Sequence, residues 1–481
     1  MKNNNLKILF LSAEVTPIAK VGGLGDVAGA LPKELKTLGI DVRICLPFYG
    51  FIDKKILKAK KIKSILVPID SKKEKAEIFE TVLPNSSVPV YLIKHKFFNP
   101  DEIYLTERSQ KENNYMRGLT DIVRFSFFSR ACIELIKTTG FHPSIIHAND
   151  WHTGLIGDIL KTLKQKETKL KKIKTIYTIH NLANQGISDP NIVKLSKINS
   201  HLKNVRNDLK NGDLNFMVQG VLSSDLVNTV SPTYAKEILT HNYGAGLEKV
   251  LILKKKSLYG ILNGIDIDFY NPEKDKMIPA NFSKFNLNVK EKNKRILEKK
   301  LGFTKNNLPL VAFVSRFVWQ KGVDLINENF ANLNCRFVFL GTGEKKYERH
   351  LKNFEKKFPK KFRTIVRFDE KLAHEIYAGA DMFLVPSRFE PCGLTQMISM
   401  RYGAVPIVRA TGGLKDTVNG KNGFVFKKFD SKDFYKTIES AIKVFQSKSQ
   451  WQKLQLNGMK KDFSWKKPAR KYLNLYNKLI S

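Results

Sequence analysis

Residues 20–26 read Lys-Val-Gly-Gly-Leu-Gly-Asp, and they constrain the fold of this chain more than any other stretch. They follow the apolar run Ile8–Leu11 and precede an apolar, helix-like segment, Val27–Leu38. Glycines let backbone amides approach a ligand closely, and a following helix points unpaired N–H groups at an anion. The pattern predicts a strand, a glycine turn and a helix that together bind a phosphate, with Lys20 adding a mobile positive charge.

A dinucleotide site is one alternative, because residues 23–28 also fit the loose pattern G-x-G-x-x-A. Such a site needs an acid near the end of the second strand, about 20 residues after the glycines, to hold a ribose. Here the second strand, Asp41–Pro47, has its only acid at the start. The spacing therefore argues against nicotinamide or flavin binding.

A chain of 481 residues with 42% hydrophobic side chains suits two α/β domains. Strand-like runs alternate with helix-like segments in two series, which meet near Leu262–Asp266. We expect an α/β fold of two Rossmann-like, doubly wound domains with parallel sheets, facing each other across a deep cleft. The expected parts are an N-terminal domain (1–257), a C-terminal domain (258–464) and an amphipathic helix (465–481) that packs back on the first domain.

Cysteine spacing and hydropathy bear on the compartment. The four cysteines never form C-x-x-C, which indicates neither a disulfide framework nor a zinc cluster. The segment Met1–Ala13 could be misread as a signal peptide, but Glu14 interrupts it, and no apolar run reaches the roughly 18 residues of a membrane span. We expect a cytoplasmic protein without a membrane partner.

The net charge of +38 suggests nucleic acid as a partner, because a basic surface gains affinity by releasing phosphate counterions. The lysines are nevertheless dispersed in short runs, as in 54–63, 164–174 and 345–361, with little aromatic interleaving. Coding bias toward Lys, Asn and Ile explains them more simply. No specific nucleic-acid site is predicted, only sequence-independent polyanion binding.

Two groups in the second half of the chain repeat the chemistry of an anion site. Thr411-Gly412-Gly413-Leu414 directly follows the strand-like run 405–408, although an ordinary tight turn would read the same way. Arg316 and Lys321 follow the strand-like run 310–314, where a guanidinium and an ammonium can stabilise a leaving diphosphate without a metal. Basic residues after a strand can also be plain surface.

Imidazole, amide and carboxylate groups collect after other strands. His147, Asp150, His152 and His180 suit sugar hydroxyls, and a metal site is their alternative. Asp266-Ile267-Asp268 resembles a metal-binding D-x-D pair, but its place after Asn263-Gly264 favours a loop cap. Glu390 precedes a helix start and could hold a sugar.

In this order and at these separations, the motifs resemble the bacterial glycogen synthase and plant starch synthase family over nearly the whole chain. They comprise 20–26, 147–155, 180–186, 230–234, 262–266, 315–324, 384–396, 411–418 and 462–465. The resemblance implies two Rossmann-like domains of the GT-B architecture. It also implies transfer of glucose from ADP-glucose to the non-reducing end of an α-1,4-glucan such as glycogen, with retention of configuration.

Residue roles follow from the same resemblance. It implies catalytic roles for Lys20, Asp150, His180, Arg316, Lys321 and Glu390. It implies donor binding by Lys20, Gly22, Gly23, Asp26, Asn263, Arg316, Lys321, Phe368, Glu390, Cys392, Gly393, Leu394, Thr411, Gly412 and Gly413, with Phe368 stacking on adenine. No metal and no cofactor are implied, since ADP-glucose is a substrate.

Two departures from the family pattern bear on the acceptor. The chain has Phe97-Phe98-Asn99-Pro100-Asp101 where the family usually has an aromatic pair before Asp-Arg-Pro-Gly. It has Val218-Gln219 where a lysine usually follows Asn-Phe-hydrophobic. Acceptor preference is therefore less firmly implied than the donor class.

Three alternatives stay open at this point. They are a related retaining transferase that uses UDP-glucose or a small acceptor, a weakly active glucan-binding protein, and a nucleic-acid binder. Intact Lys20, Arg316, Lys321 and Glu390 argue against the second. The oligomeric state and the regulation do not follow from the sequence.

Overall fold

The computed structural model of the chain describes residues 6–105, 119–164 and 166–481. Residues 1–5, the start of the segment considered as a signal peptide, lie outside this part. The described residues form two compact units. The N-terminal unit takes in the chain up to Val230, Ala235–Ile261 and Trp465–Ser481, and the C-terminal unit takes in Ser231–Tyr234 and Leu262–Ser464.

The N-terminal unit is built on one large sheet. Its strands are β1 (Lys7–Leu11), β2 (Asp41–Pro47), β3 (Lys60–Ile69), β4 (Lys72–Val82), β5 (Pro89–Lys94), β6 (Ile145–Asn149), β7 (Lys174–Ile179), β8 (Ile187–Ser188), β9 (Leu214–Asn215), β10 (Leu226–Thr229) and β11 (Leu258–Gly260). Among the described residues, nine of them form a sheet in the order β11-β10-β7-β6-β1-β2-β5-β4-β3, while β8 and β9 pair separately.

Helices follow most of these strands, as the alternating hydrophobic rhythm predicts. They are α1 (Gly23–Thr37), α2 (Asp121–Thr138), α3 (Ile156–Lys164), α4 (Asn191–Ser196), α5 (Lys203–Asp208), α6 (Phe216–Ser223), α7 (Pro232–Glu237) and α8 (Glu248–Leu253). Strand β1 is buried along four of its five residues, which is typical of a strand covered on both faces.

The sheet is parallel over most of its width, as predicted, and one edge adds antiparallel strands that the sequence does not reveal. Strands β3 and β4 form an antiparallel hairpin, and β4 also runs antiparallel to β5. The first residues of β3, Lys60 to Ser64, are all exposed, which is why this run reads as a solvated loop in the sequence. An edge strand tolerates such charges because they discourage pairing with another chain.

The C-terminal unit contains a second sheet. Its strands are β12 (Leu310–Val314), β13 (Arg336–Gly341), β14 (Phe362–Val366), β15 (Met382–Val385), β16 (Val405–Arg409) and β17 (Phe424–Phe426). In the described part of the unit they form a six-stranded parallel sheet in the order β14-β13-β12-β15-β16-β17. The helices are α9 (Lys290–Lys300), α10 (Lys345–Lys357), α11 (Glu370–Gly379), α12 (Thr395–Arg401), α13 (Gly412–Thr417), α14 (Ser431–Phe445) and α15 (Lys448–Met459).

In both sheets the chain reverses its direction of winding beside one central strand. In the N-terminal unit β1 lies between β6 and β2, and in the C-terminal unit β12 lies between β15 and β13. Ligands of open α/β sheets bind outside the carboxyl ends of the strands at such a reversal. The two sheet orders therefore mark the loops after β1 and β6, and those after β12 and β15, as candidate sites.

The helix α16 (Lys466–Ile480) belongs to the N-terminal unit. The Tyr476 hydroxyl lies 2.8 Å from Nδ1 of buried His147, and the Asn228 amide donates to the Tyr472 hydroxyl over 2.8 Å. The other His147 nitrogen, Nε2, lies 2.8 Å from the Thr178 hydroxyl. These bonds satisfy polar groups inside the sheet that would otherwise be buried without partners.

No described helix combines the length and the apolar character that crossing a membrane requires. All four cysteines lie in the described part, and all are buried free thiols. Although Cys45 and Cys132 are far apart in the sequence, their sulfur atoms lie 3.7 Å apart.

Replacing Tyr476 by Phe tests the role of α16. We expect Tyr476→Phe to lower the free energy of unfolding of the N-terminal unit by about 1–3 kcal/mol, because a buried ring nitrogen loses its partner. Urea unfolding followed by circular dichroism measures the change. The control is Tyr435→Phe on α14, where the half-buried side chain packs by its ring. Equal losses in the two variants would contradict the assignment.

Candidate active site

The glycine loop after β1, residues 20–26, is held by a buried carboxylate. Oε2 of Glu14 accepts hydrogen bonds from the backbone N–H groups of Val21 at 2.7 Å and Gly22 at 2.6 Å. Helix α1 begins immediately afterwards, at Gly23, so its first amides have no partner within the helix. The strand, glycine turn and helix that the sequence predicts are therefore present.

Lys20 and Asp26 lie at the two ends of this loop and form an ion pair. The Lys20 Nζ lies 2.7 Å from Asp26 Oδ1, and both side chains are about a quarter exposed (28% and 27%). Burial raises the pKa of Asp26, and the Lys20 ammonium opposes that shift. The ammonium thus already has one anionic partner inside the loop.

Asp150 directly follows β6 in a strained backbone conformation. Its φ of +53° is uncommon for a residue with a side chain and is typical of functional sites. Oδ1 accepts the N–H of His180 at 2.7 Å and that of Asn181 at 3.4 Å. Burial raises the pKa of the carboxyl to about 7, while these amides lower it. The structure thus brings together Asp150 and His180, both predicted site residues.

The hydrogen bonds around His180 define its tautomer. Nδ2 of Asn149 donates to the backbone carbonyls of Leu11 and His147, which fixes Oδ1 of Asn149 as the atom facing His180 Nε2 at 2.9 Å. Burial lowers the pKa of His180 to about 3, so the ring is neutral at pH 7. Nε2 therefore carries the proton, and Nδ1 is left as an acceptor.

The other two histidines of the group have different surroundings. His147 uses both ring nitrogens within the core, as described above. His152 is buried between the rings of Tyr104 and Phe125, and burial lowers its pKa to about 3. Within the described ranges, no group of three or more His, Cys, Asp or Glu side chains is placed to hold a metal ion. The described part of the chain therefore offers no cluster of ligands for the metal site considered as an alternative.

In the C-terminal unit, half-buried Lys321 forms an ion pair with buried Glu390. The Lys321 Nζ lies 2.6 Å from Glu390 Oε2, and the Ser387 hydroxyl donates to the same oxygen over 2.7 Å. The loops after β12 and β15 are joined beside this pair, because the Arg388 N–H donates to the Gln320 carbonyl. Two motifs far apart in the sequence thus form one site.

Two glycines allow these loops to approach closely. A Cβ on Gly322, whose φ is +72°, would lie 2.2 Å from the Pro386 carbonyl oxygen. A Cβ on Gly412, whose φ is +44°, would lie 1.9 Å from the Glu390 carbonyl oxygen. The turn at the start of α13 therefore packs directly against the segment that carries Glu390.

Asn263 and Cys392 meet in the same unit. The backbone amide of Asn263 bonds to the Cys392 thiol, and burial raises the pKa of that thiol to about 12. The Asn263 side chain is buried, and in the described structure its Oδ1 has no hydrogen-bond partner. A buried acceptor without a partner costs free energy, so this oxygen needs a hydrogen-bond donor.

The remaining predicted residues lie at loops of this unit. Arg316 is exposed after β12, and Phe368 is 81% exposed after β14. Gly393 has a φ of +72° and, with Leu394, precedes α12. Asp266 Oδ1 accepts the N–H groups of Asp268 and Phe269, which confirms the loop cap predicted for this pair.

Sequence reasoning missed several residues that hold these loops. In the sequence Glu14 is only a break in an apolar run, and Tyr104 lies in no motif. Asn149 and Ser387 lie inside the motifs 147–155 and 384–396, but the sequence assigns them no role of their own. Asp416, on α13, accepts both the N–H and the hydroxyl of Thr233 over 2.9 and 2.6 Å. Thr233 lies at the start of α7, in the part of that helix that belongs to the C-terminal unit. The sequence offers one weak signal for these residues, which is that the carboxylates Glu14 and Asp416 lie near a glycine turn along the chain.

Comparisons with known proteins agree with these observations. The family model "Starch synthase catalytic domain" matches residues 7–253, and "Glycosyl transferases group 1" matches residues 294–453. The chain is 42% identical to a glycogen synthase of Thermosipho africanus and 40% identical to one of Thermotoga maritima, over 99% of each chain.

Solved structures show the same relationship. The catalytic domain of starch synthase IV from Arabidopsis thaliana, bound to ADP and acarbose, matches with a TM-score of 0.89 and 34% identity over 99% of both chains. A sucrose-phosphate synthase from Thermosynechococcus elongatus, at 17% identity and a TM-score of 0.62, shares the fold. Its likeness to these proteins over almost its full length identifies the chain as a glycosyltransferase with the GT-B fold, a member of the bacterial glycogen synthase and plant starch synthase family.

Proposed function

We propose that this protein transfers glucose from ADP-glucose to the 4-hydroxyl at the non-reducing end of an α-1,4-glucan, with retention of the anomeric configuration. The observation that carries the proposal is the full-length match to a starch synthase bound to ADP and acarbose. The names of the relatives support glycogen as the glucan. We assign the acceptor to the domain 1–257 and the nucleotide sugar to the domain 258–464.

Cationic groups bind the diphosphate in this proposal. Lys321 bonds to Glu390 through one of the three N–H donors that an ammonium carries. Arg316 supplies a planar guanidinium that can bind two phosphate oxygens. Lys20, the glycine turn Gly22–Gly23 and the turn Thr411–Gly413 complete the set, and Phe368 stacks on the adenine. Within the first turn the amide of Gly23 faces the diphosphate, because the amide of Gly22 is bound to Glu14.

Asp26, Asn263, Glu390, Cys392, Gly393 and Leu394 surround the donor, mostly its glucose. The buried Oδ1 of Asn263 is an acceptor for a sugar hydroxyl, which would supply the partner it lacks. Neutral His180 offers Nδ1 as a second acceptor. These contacts orient the glucose with its anomeric carbon toward the incoming hydroxyl.

Transfer breaks the bond between glucose and diphosphate through an oxocarbenium-like transition state. The charge that develops on ADP is stabilised by Lys20, Arg316 and Lys321. A double displacement would need two carboxylates about 5 Å apart. We propose instead a front-face transfer, in which the departing diphosphate helps to take the acceptor proton, and detection of a covalent glucosyl-enzyme would refute it.

Three further assignments belong to the proposal. Transfer proceeds without a bound metal, because Lys20, Arg316 and Lys321 supply the positive charge that a metal would otherwise bring to the diphosphate. The protein acts in the cytoplasm, consistent with its buried free thiols. Its partners are ADP-glucose and glycogen.

Nucleotide release from labelled sugar nucleotides tests the function. We expect wild type to release ADP from ADP-glucose only when glycogen is present. Lys321→Ala lowers this rate by about 100-fold or more, because the negative charge that develops on the departing ADP loses a half-buried cation. Preferential use of UDP-glucose, or transfer to a small acceptor in place of glycogen, would contradict the proposal.

Lys443→Ala is the matched control for this experiment. Lys443 is an exposed lysine of α14 in the same unit, 3.7 Å from Glu439. Its removal deletes the same charge from a surface position and should leave the rate of ADP release within twofold of wild type.

The pH dependence of transfer follows from Asp150. Because burial raises its pKa to about 7, the carboxyl is mostly protonated below that pH and ionised above it. An ionised carboxylate stabilises positive charge on the sugar, so kcat/KM should rise with pH and level off above about 7. Initial rates between pH 5.5 and 9 measure this limb. If the rise of kcat/KM with pH persists unchanged in Asp150→Asn, the titrating group is a residue other than Asp150.

A further inference from the structure

Both oxygens of the Glu14 carboxylate have donors, from two different segments. Oε2 receives the Val21 and Gly22 amides of the glycine loop, and Oε1 receives the Tyr104 hydroxyl at 2.5 Å. The side chain is buried at 3% exposure. Because one buried side chain accepts hydrogen bonds from two loop amides and from a hydroxyl, it favours one conformation of the loop.

The loop is therefore shaped before any ligand arrives. Because the Val21 and Gly22 amides already have an acceptor, the groups left to meet a diphosphate are Lys20 and the first amides of α1. A Cβ on Gly25 would lie 3.2 Å from Oε2 of Glu14, so the absence of a side chain at this position allows the close approach of the carboxylate. The direction of Lys20 thus depends on a side chain outside the glycine motif.

Tyr104 is itself held firmly. Burial and the neighbouring Glu14 raise the pKa of its phenol well above the usual value, so the hydroxyl stays protonated and donates. Its ring stacks on His152, with 5.2 Å between the ring centroids. The position of the Tyr104 side chain is thus fixed by two contacts, the stacking of its ring on His152 and the hydrogen bond of its hydroxyl to Glu14.

Arg124 fixes the backbone on either side of Tyr104. Its fully buried guanidinium donates to the carbonyls of Phe97, Glu102 and Ile103 and pairs with Asp121 at 2.7 Å. The Asp121 carboxylate also accepts the N–H of Leu105, at 3.1 Å to its nearer oxygen. The segment 97–105, which contains the departure from the family pattern at Asn99-Pro100, is thereby one rigid piece that ends on Glu14.

We propose that Glu14 is a positioning residue that sets the conformation of the glycine loop and couples it, through Tyr104, to the segment 97–105. A change in that segment is thereby transmitted to the loop that binds the donor diphosphate. This inference rests on the proposed function and adds to it a residue that touches neither phosphate nor sugar.

Four variants test the coupling by two measurements. Hydrogen exchange followed by mass spectrometry reports on peptides covering 18–26, and initial rates give KM and kcat for ADP-glucose and for glycogen. The variants are Glu14→Ala, Glu14→Gln, Tyr104→Phe and the double variant Glu14→Ala/Tyr104→Phe. Glutamine can still accept the loop amides and donate to the Tyr104 oxygen, so it serves as the conservative rescue.

Glu14→Ala should speed exchange in the loop at least tenfold and raise the KM for ADP-glucose at least tenfold. Glu14→Gln should recover most of both effects. Tyr104→Phe alone should speed loop exchange about threefold, whereas in the Glu14→Ala background it should change loop exchange by less than 1.5-fold, since the link is already broken.

Asp225→Asn is the matched control. Asp225 accepts the backbone N–H and the hydroxyl of Thr175 at the amino ends of β7 and β10. The glycine loop lies at the other end of the strands of this sheet, after the carboxyl end of β1. We expect it to lower the melting temperature while leaving loop exchange and both KM values within twofold of wild type.

Unchanged loop exchange in Glu14→Ala, or independent effects of the two substitutions in the double variant, would overturn the inference. A Glu14→Ala variant whose activity falls only in proportion to its unfolded fraction would do the same. If wild type transfers no glucose from ADP-glucose, the proposed function fails on its own, and the exchange measurements still decide whether Glu14 controls the loop.

Discussion

Buried carboxylates hold the loops that follow the parallel strands. Glu14 accepts two amides of the first glycine loop, Asp150 accepts the amide of His180, and Glu390 binds both Lys321 and Ser387. A strand end leaves backbone donors that need acceptors, and a buried carboxylate needs donors. At these sites the carboxylate accepts hydrogen bonds from the loop, and the loop donors satisfy the carboxylate. The side chains of the candidate site are thereby fixed at the carboxyl ends of the strands in the two sheets.

Much of the fold can be predicted from the sequence, because the spacing of apolar residues along the chain is a strong signal for strands and helices. The central strands β1, β12, β13 and β15 are apolar over most of their length, and their order along the chain predicts helix-covered sheets. The hairpin β3–β4 was missed because its lysines conceal the alternation of an edge strand. The short β11 and β17 carry too few residues for a pattern to stand out.

The candidate site was predictable only in part. Glycines, Lys20, Arg316 and Lys321 form motifs whose chemistry can be recognised from spacing. Tyr104 and Glu14 do not, because the hydrogen bond between them joins residues 90 positions apart. The strained backbone of Asp150 and the acceptor role of His180 Nδ1 likewise depend on neighbours that only the folded chain supplies.

The position of α16 in the N-terminal unit has a consequence for biosynthesis. Ribosomes make Leu262–Ser464, nearly all of the C-terminal unit, before the tyrosines that cover His147 and Asn228 exist. The first sheet therefore waits with polar core groups uncovered throughout that interval. Its last packing step comes after the emergence of Tyr476, so the unit that begins translation first cannot complete its core until the end of the chain has been made.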